Sequence, residues 1–466
     1  MGARARGTPP LRPFPLGYVP YTLKERALSR TRDRERMVEF FPVRAWHPDP
    51  GVVDPDSVVC PVYDTVSDAE QSRFSSKRFN AARFVPRPHG MGLEQFLLAS
   101  VGHLGEALRA GAYVQDASAG FYVYGIRYHP PSDIAETIDP AERRSEYLLL
   151  GLVGALDLDR IGHGEVALHE RTFADRVDER MAVSDATGMN FAPIMAGYHS
   201  PDHRLNNRTE DLLGLDRRRL EFDSAKPPLV SARLNGTTHF LWRLDDPETI
   251  RSIQSDLEGA RLLVLDGHHR FTAAAKRHHE GQLTMPLVML VEGGDRALHV
   301  LPWHRVLSGE EVAPEGVVDA VRETFSGTEN LGTAPSVERA IGELQQMSVH
   351  HRRGFLLVAP GLMLKVPGRE GGDVGADFDL LHAFLEEQLG LDPHDLEFVR
   401  SPRKAIDMAA ATPATPGGTA FLLPGLSARG IEERAFGKGL LMAHKSTMFL
   451  PKVAEGVVFA PVDGVG

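Results

Sequence analysis

Asp266-Gly267-His268-His269-Arg270 places five consecutive polar or glycine residues between two apolar segments, a composition suited to holding an anion. A glycine at the end of a buried strand permits positive φ and close backbone approach. A helix starting there offers N–H groups without intrahelical acceptors and a partial positive charge. Two histidines and an arginine add donors suited to phosphate or carboxylate, and Asp266 could hold Mg²⁺ or a hydroxyl. The simpler alternative is a capped strand-to-helix turn with solvated histidines, and the unbroken polar run argues against it. A second group is Leu168-His169-Glu170-Arg171-Thr172. A carboxylate beside a histidine serves as a general base if it stands near the anion site, although such pairs more often lie on solvated helix faces. Asp175, Arg176, Asp178 and Arg180 read as helix-face ion pairs. The third group is His444-Lys445-Ser446-Thr447-Met448-Phe449-Leu450-Pro451-Lys452. Its two lysines and two hydroxyls could reach phosphates or form no more than a basic loop.

Several familiar devices are missing. Phe173 occupies the position where a zinc-protease His-Glu-x-x-His motif needs its second histidine. Gly437-Lys438-Gly439 lacks the spacing and hydroxyl of a phosphate-binding P-loop. Gly162-His163-Gly164-Glu165-Val166-Ala167 imitates the dinucleotide fingerprint but reads better as a β-turn, and no Gly-x-Ser-x-Gly elbow occurs.

The elements that must position these groups follow from periodicity. Residues 261–265 form a buried-type strand that ends at Asp266, and residues 270–279 form the helix beyond it. Strands are expected at 121–126, 192–196, 239–244, 286–291 and 297–302, with a nearly all-apolar buried run at 147–156. Residues 92–110 carry apolar side chains at three- and four-residue spacing, a helix ending at Gly111. Residues 169–183 also look helical, and Asp246 caps a helix opening at Pro247. The arginine-rich stretch 199–226 reads as a loop or insertion. Beyond 307 the texture is α+β, with helices at 312–324, 337–347 and 378–389 and strands at 354–358 and 419–423. The expected division is a flexible arm at 1–39, an N-terminal α+β region at 40–145, a catalytic core at 146–307 and a C-terminal α+β domain at 308–466.

The chain has 466 residues, too many for one ordinary core. Its net charge of −11 disfavours nucleic acid as a partner. Cys60 is the sole cysteine, which excludes an intramolecular disulfide and suits a cytoplasmic location; it reads as a small buried hydrophobe. No apolar run is long enough for a membrane span, and the first 18 residues lack the apolar region of a signal peptide. Self-association into a homo-oligomer is left open.

The series His169-Glu170, Pro193-Ile194, Val264-Leu265-Asp266-Gly267-His268-His269-Arg270-Phe271 and Met285-Pro286-Leu287-Val288 resembles the free serine kinases of the ParB/sulfiredoxin-like superfamily. Over roughly 40–460 the chain also resembles the bacterial domain-of-unknown-function family 1015. That likeness rests on Pro61-Val62-Tyr63-Asp64, Phe79-Asn80, His169-Glu170-Arg171-Thr172, the Asp266 turn, Pro302-Trp303-His304-Arg305, and Lys445-Ser446-Thr447 through Pro451-Lys452. The kinase resemblance implies an α+β fold, a ParB/sulfiredoxin-like mixed-sheet core with long N-terminal and C-terminal extensions. It implies ATP or ADP as donor, Mg²⁺, and a small hydroxyl compound such as serine as acceptor. Glu170 would be the general base, with Asp266 and His268 as the other catalytic groups and Asp266 the metal ligand. Gly267, His268, His269, Arg270, Lys445, Ser446 and Thr447 would hold the nucleotide, and His169, Thr172 and Arg270 the substrate. The stretch 199–260 is longer than those kinases need and could reshape or cap the acceptor pocket.

Two other readings compete. A nucleotide-binding or nucleotide-hydrolysing switch would need no carboxylate base, so Glu170 weighs against a pure binder. A scaffold with a degenerate site is at odds with an intact turn. A sulfiredoxin-type repair enzyme would need a cysteine at the turn, where none stands.

Overall fold

A strand buried on both faces needs a covering layer on each side. The computed structural model describes residues 39–464 except 136–137, 139–142, 160–164, 200–203, 217–219, 221–222, 334–335, 350–352, 369–371 and 413–416. In it every residue of Tyr147–Leu156 is buried. This strand lies within a nine-stranded sheet. The order is Val230–Leu234, Thr237–Leu244, Phe121–Tyr128, Tyr147–Leu156, Leu287–Glu292, Ile194–Tyr198, Leu262–Asp266 and Val166–Ala167, with Phe40–Phe41 pairing on Tyr147–Leu156. Leu287–Glu292 runs parallel to Ile194–Tyr198, and Leu262–Asp266 parallel to Val166–Ala167. The remaining pairs are antiparallel. The sheet is therefore mixed, within an α+β chain, and draws strands from both sides of position 145.

Successive side chains of a strand point to opposite faces, and the core divides accordingly. Leu263 and Leu265 join one apolar cluster with Val183 of helix Ala174–Thr187, whereas Leu262 and Val264 join another with Ile253 of helix Pro247–Asp256. Gly154 sits where packing is too close for a side chain. A Cβ there would stand 2.7 Å from the Phe41 carbonyl oxygen and 2.8 Å from the Phe40 ring. Because backbone cannot yield as a side-chain tip does, Gly154→Ala is expected to destabilise the fold by about 2 kcal/mol. Urea denaturation of the variant checks this.

Residues 199–260 differ from expectation. They hold helix Arg204–Leu213, the hairpin Val230–Leu234 to Thr237–Leu244, and helix Pro247–Asp256. The hairpin extends the sheet at the edge opposite Leu262–Asp266, so it continues the hydrogen-bond ladder instead of capping a pocket at the turn. The helix expected from 169 begins only at Ala174. Glu170 forms a parallel bridge to Met442 instead, with Met442 N–H donating to the His169 carbonyl and Arg171 N–H to that of Met442. An interstrand partner supplied from the far end of the chain holds this segment extended.

Beyond residue 303 a six-stranded antiparallel sheet runs Glu329–Gly332, Leu362–Val366, Phe355–Ala359, Gly418–Leu422, His304–Ser308, Glu397–Val399. Helices Val337–Val349 and Pro402–Ala409 belong to its apolar cluster on one side, and Pro314–Thr324 and Ala376–Leu389 pack into the main core. The chain then returns. Thr447–Leu450 pairs with His299–Pro302, Ala454–Glu455 with Cys60–Pro61, and Ala460–Pro461 with Met189–Asn190. Cys60 is fully buried, and burial raises its thiol well above the usual range. Among the described residues no helix is long and apolar enough to cross a membrane. The arm expected at 1–39, all but Glu39, and the Gly162-His163-Gly164 turn lie outside the described residues.

Candidate active site

Leu262–Asp266 is broken by a register shift between Val264 and Asp266, so the ladder ends and the chain turns. Gly267 makes that turn at φ +87°, a conformation that only glycine adopts without strain. Helix His268–His279 starts directly behind it, with Gly267 as N-cap and no side chain capping its first N–H groups. A helix that opens this way presents unpaired N–H groups, a feature that favours an anion.

Glu170 lies beside it. One of its oxygens, Oε2, accepts from Ser446 N–H at 3.1 Å and Thr447 N–H at 3.2 Å, and Thr447 Oγ1 lies 3.1 Å away. The other, Oε1, stands 3.8 Å from His268 Nδ1. Burial dominates its titration and outweighs the Thr447 hydrogen bonds and the Lys452 charge, so its carboxyl is pushed up to about 7. Arg305, fully buried, donates to the carbonyls of Trp303 and His444. Burial brings its guanidinium down to about 9, so it remains a cation facing Glu170 at neutral pH.

The histidines are neutral. His169 Nδ1 donates to the Val264 carbonyl at 2.7 Å, which leaves Nε2 as an acceptor 2.8 Å from Thr447 Oγ1. The single hydroxyl proton of Thr447 thus serves either His169 or Glu170. Burial lowers His169 to about 4 and His268 well below the ordinary imidazole range. The two rings meet edge-on at 4.4 Å. His269 Nε2 accepts from Phe173 N–H at 3.1 Å, and its ring stacks on that of Phe173. Burial lowers it to about 4.

Expected site residues fall into two sets. Glu170, His169, Gly267, His268, His269, Ser446 and Thr447 are brought together, with Asp266 at the same turn. Arg270 is not presented to the anion site. Its Nη1 donates to the carbonyls of Ala192 at 2.8 Å and Pro193 at 3.2 Å, and Nη2 lies 3.7 Å from Asp266. Behind it a cavity of about 40 Å³, room for water, is lined by Arg180, Arg270 and Glu455. Glu455 is 1% exposed, and burial raises its carboxyl. Arg270 is therefore an internal brace for the turn. Ser446 is likewise turned inward, its hydroxyl donating to the Ala443 carbonyl at 2.7 Å. Thr172 is half-buried, and the His444 ring bonds to its backbone. Lys445, at φ +48°, holds its ammonium over the Trp303 and Phe398 rings.

Asp266 is not arranged as a Mg²⁺ ligand. Lys452 binds its Oδ1 and Arg270 faces its Oδ2, so cations already neutralise it and its carboxyl is held low despite burial. Among the described residues no group of three or more His, Cys, Asp or Glu could hold a metal ion. Lys452 and Arg305 are the residues that motif reasoning leaves without a role. Their signal was charge within otherwise apolar strand or post-strand sequence, where a cation is buried only with partners.

Residues 40–361 match the model of the family of unknown function DUF1015, and the chain belongs to that family. No curated protein matches it. Among solved structures it is similar to a free serine kinase variant in complex with AMP, at 11% identity and TM-score 0.35, covering 61% of this chain and 84% of that one. It is also similar to C-terminally truncated SbnI from Staphylococcus aureus, at 12% identity and TM-score 0.35, over 65% and 85% of the two chains. A conserved hypothetical protein from Pyrococcus furiosus matches at 13% identity and TM-score 0.33, over 62% and 90%. At such TM-scores the likeness carries no statement about fold or chemistry.

Proposed function

We propose that the protein is a nucleotide-dependent phosphotransferase that moves a phosphoryl group from ATP or ADP to the hydroxyl of a small molecule, with a free amino acid such as serine as acceptor. The observation that carries this reading is the Glu170 carboxyl, buried, poised near neutrality and set against an uncapped helix start. A base with a pKa near the working pH is the effective kind. In this reading the mixed sheet is a ParB/sulfiredoxin-like core whose Asp266 turn faces the phosphates.

The N–H groups opening the His268–His279 helix hold the phosphates, joined by Lys445, whose ammonium rests over aromatic rings rather than against a carboxylate among the described residues. The acceptor hydroxyl attacks phosphorus, the P–O bond to the nucleotide breaks, and the hydroxyl proton passes to Glu170 Oε1. Ser446 and Thr447 N–H groups fix the carboxylate through Oε2. Alignment and charge neutralisation are the main demands of phosphoryl transfer. Any Mg²⁺ would come with the nucleotide, and no step is assigned to it.

Phosphorus NMR of the purified chain with Mg²⁺, ATP or ADP and a panel of hydroxy amino acids tests the proposal. A new phosphomonoester resonance that depends on one acceptor is expected. Nucleotide loss without any acceptor would replace the kinase reading with a hydrolytic switch, and no nucleotide binding by calorimetry would remove both.

A further inference from the structure

A cavity among the described residues lies away from Glu170 and the Asp266 turn. It has a volume of about 750 Å³ and is walled by strand His299–Pro302, helix Val337–Val349 and the segment 423–438. That volume falls in the range of sites for small organic ligands. One wall is apolar, with Leu301, Ile341, Leu344 and Leu426. The other carries Arg353, Arg400, Arg429, Arg434 and Lys438, with Asp373 and Glu433 beside them and Asp377 and Asp379 bonded to Arg353 and Arg434.

Two of the arginines are buried rather than waving in solvent. Arg353 is 6% exposed. Asp377 and the carbonyls of Pro424 and Gly425 take its Nε and Nη2, and no described residue bonds its Nη1. Arg434 is 4% exposed and fully engaged on its outer nitrogens, with Asp373 on Nη1 and Asp379 and the Leu441 carbonyl on Nη2, while its Nε is closed off from the cavity. A buried guanidinium keeps its donors satisfied, so a cavity-lining one with a donor to spare is prepared for an acceptor from outside.

We propose that this cavity is a second ligand site, for an organic anion with an apolar body: a carboxylate, sulfonate or phosphate end held by the arginines and a hydrocarbon or ring portion laid on the leucine wall. The proposal stands whether or not the Glu170 site transfers phosphate. It also has a route to that site. Glu433, Arg434 and Lys438 line the cavity, and the same segment continues through Met442, which pairs with Glu170, to Ser446 and Thr447, which hold its carboxylate.

The test is fluorescence titration of the full chain with anilinonaphthalene sulfonate, which has both an anionic end and an apolar body. Saturable binding at one site is expected, at least tenfold weaker in the double variant Arg400→Glu/Lys438→Glu, whose melting temperature is measured alongside. AMP and octanoate, two sources of the same chemistry, should each compete, and the better competitor identifies the body the wall prefers. Equal affinity in a folded double variant would overturn the proposal. So would displacement by inorganic phosphate as effective as by either organic anion, because a simple basic patch would then suffice. Glu170→Gln should bind the probe as wild type does; lost binding there would mean that the probe reads the Glu170 site instead.

Discussion

Replacing Glu170 by Gln is expected to slow phosphoryl transfer by about 10²- to 10⁴-fold while making the folded chain more stable above neutral pH. Both effects follow from burial. The carboxyl is pushed up from 4.5 to about 7, so the folded chain holds a proton that the unfolded chain releases. For an acid with a raised folded pKa, the stabilising contribution is complete below the unfolded value and declines as pH climbs from 4.5 to about 7. Above that window the buried anion costs the fold about 3 kcal/mol relative to a group that never ionises. Glutamine keeps an oxygen for the Ser446 and Thr447 N–H groups and never ionises. The melting temperatures of variant and wild type should lie close together at pH 4 and separate by several degrees at pH 8. A gap that ignores pH would show that Glu170 titrates as an ordinary carboxyl. On the proposed mechanism the same group governs the rate: turnover should rise with pH and level off above about 7, and an alkaline onset near 9 or 10 would point to another base.

Lys452→Met is expected to destabilise the chain by about 3 kcal/mol, because truncating one member of a buried ion pair leaves the other charge uncompensated. Lys452 binds Asp266 directly, and Arg270, the remaining cation, stands 3.7 Å from the other carboxylate oxygen. Adding Asp266→Asn should recover part of the loss, since the exposed cost is that of the abandoned carboxylate. A double-mutant cycle by denaturant unfolding measures the coupling. Strict additivity of the two losses would show that the pair does not act as one. Catalysis should fall in the single variant as well, since Asp266 borders the glycine on which the helix start depends.

Much of the sheet was legible because burial and period leave a direct imprint. Residues 147–156 read as a buried run and form a wholly buried strand. Asp246 and Pro247 read as a helix start and are one, with Asp246 accepting from Thr249 N–H. The edge hairpin was also written in the chain, at Asn235-Gly236. Both residues take positive φ, the geometry that a two-residue hairpin turn demands. Other features had no local signature. Residues 169–173 have a helical look, and only a partner at 442 makes them extended. Arg270 reads as a phosphate ligand from its neighbours in sequence, yet the carbonyls that claim it belong to residues 192 and 193. Residue types suggested which groups could do chemistry; which way each one points was set by contacts distant in sequence.

The return of the chain through residues 446–461 bears on how the protein is born. Glu170 takes its carboxylate donors from residues 446 and 447, Asp266 its ammonium from residue 452, and residues 454–461 pair with strands Cys60–Pro61 and Met189–Asn190. Until that stretch has been made, the core can assemble its sheet, but the Glu170 carboxylate lacks the N–H donors of residues 446 and 447. Chains that stop short of residue 446 are thus expected to leave the Glu170 carboxylate without the N–H donors that orient it.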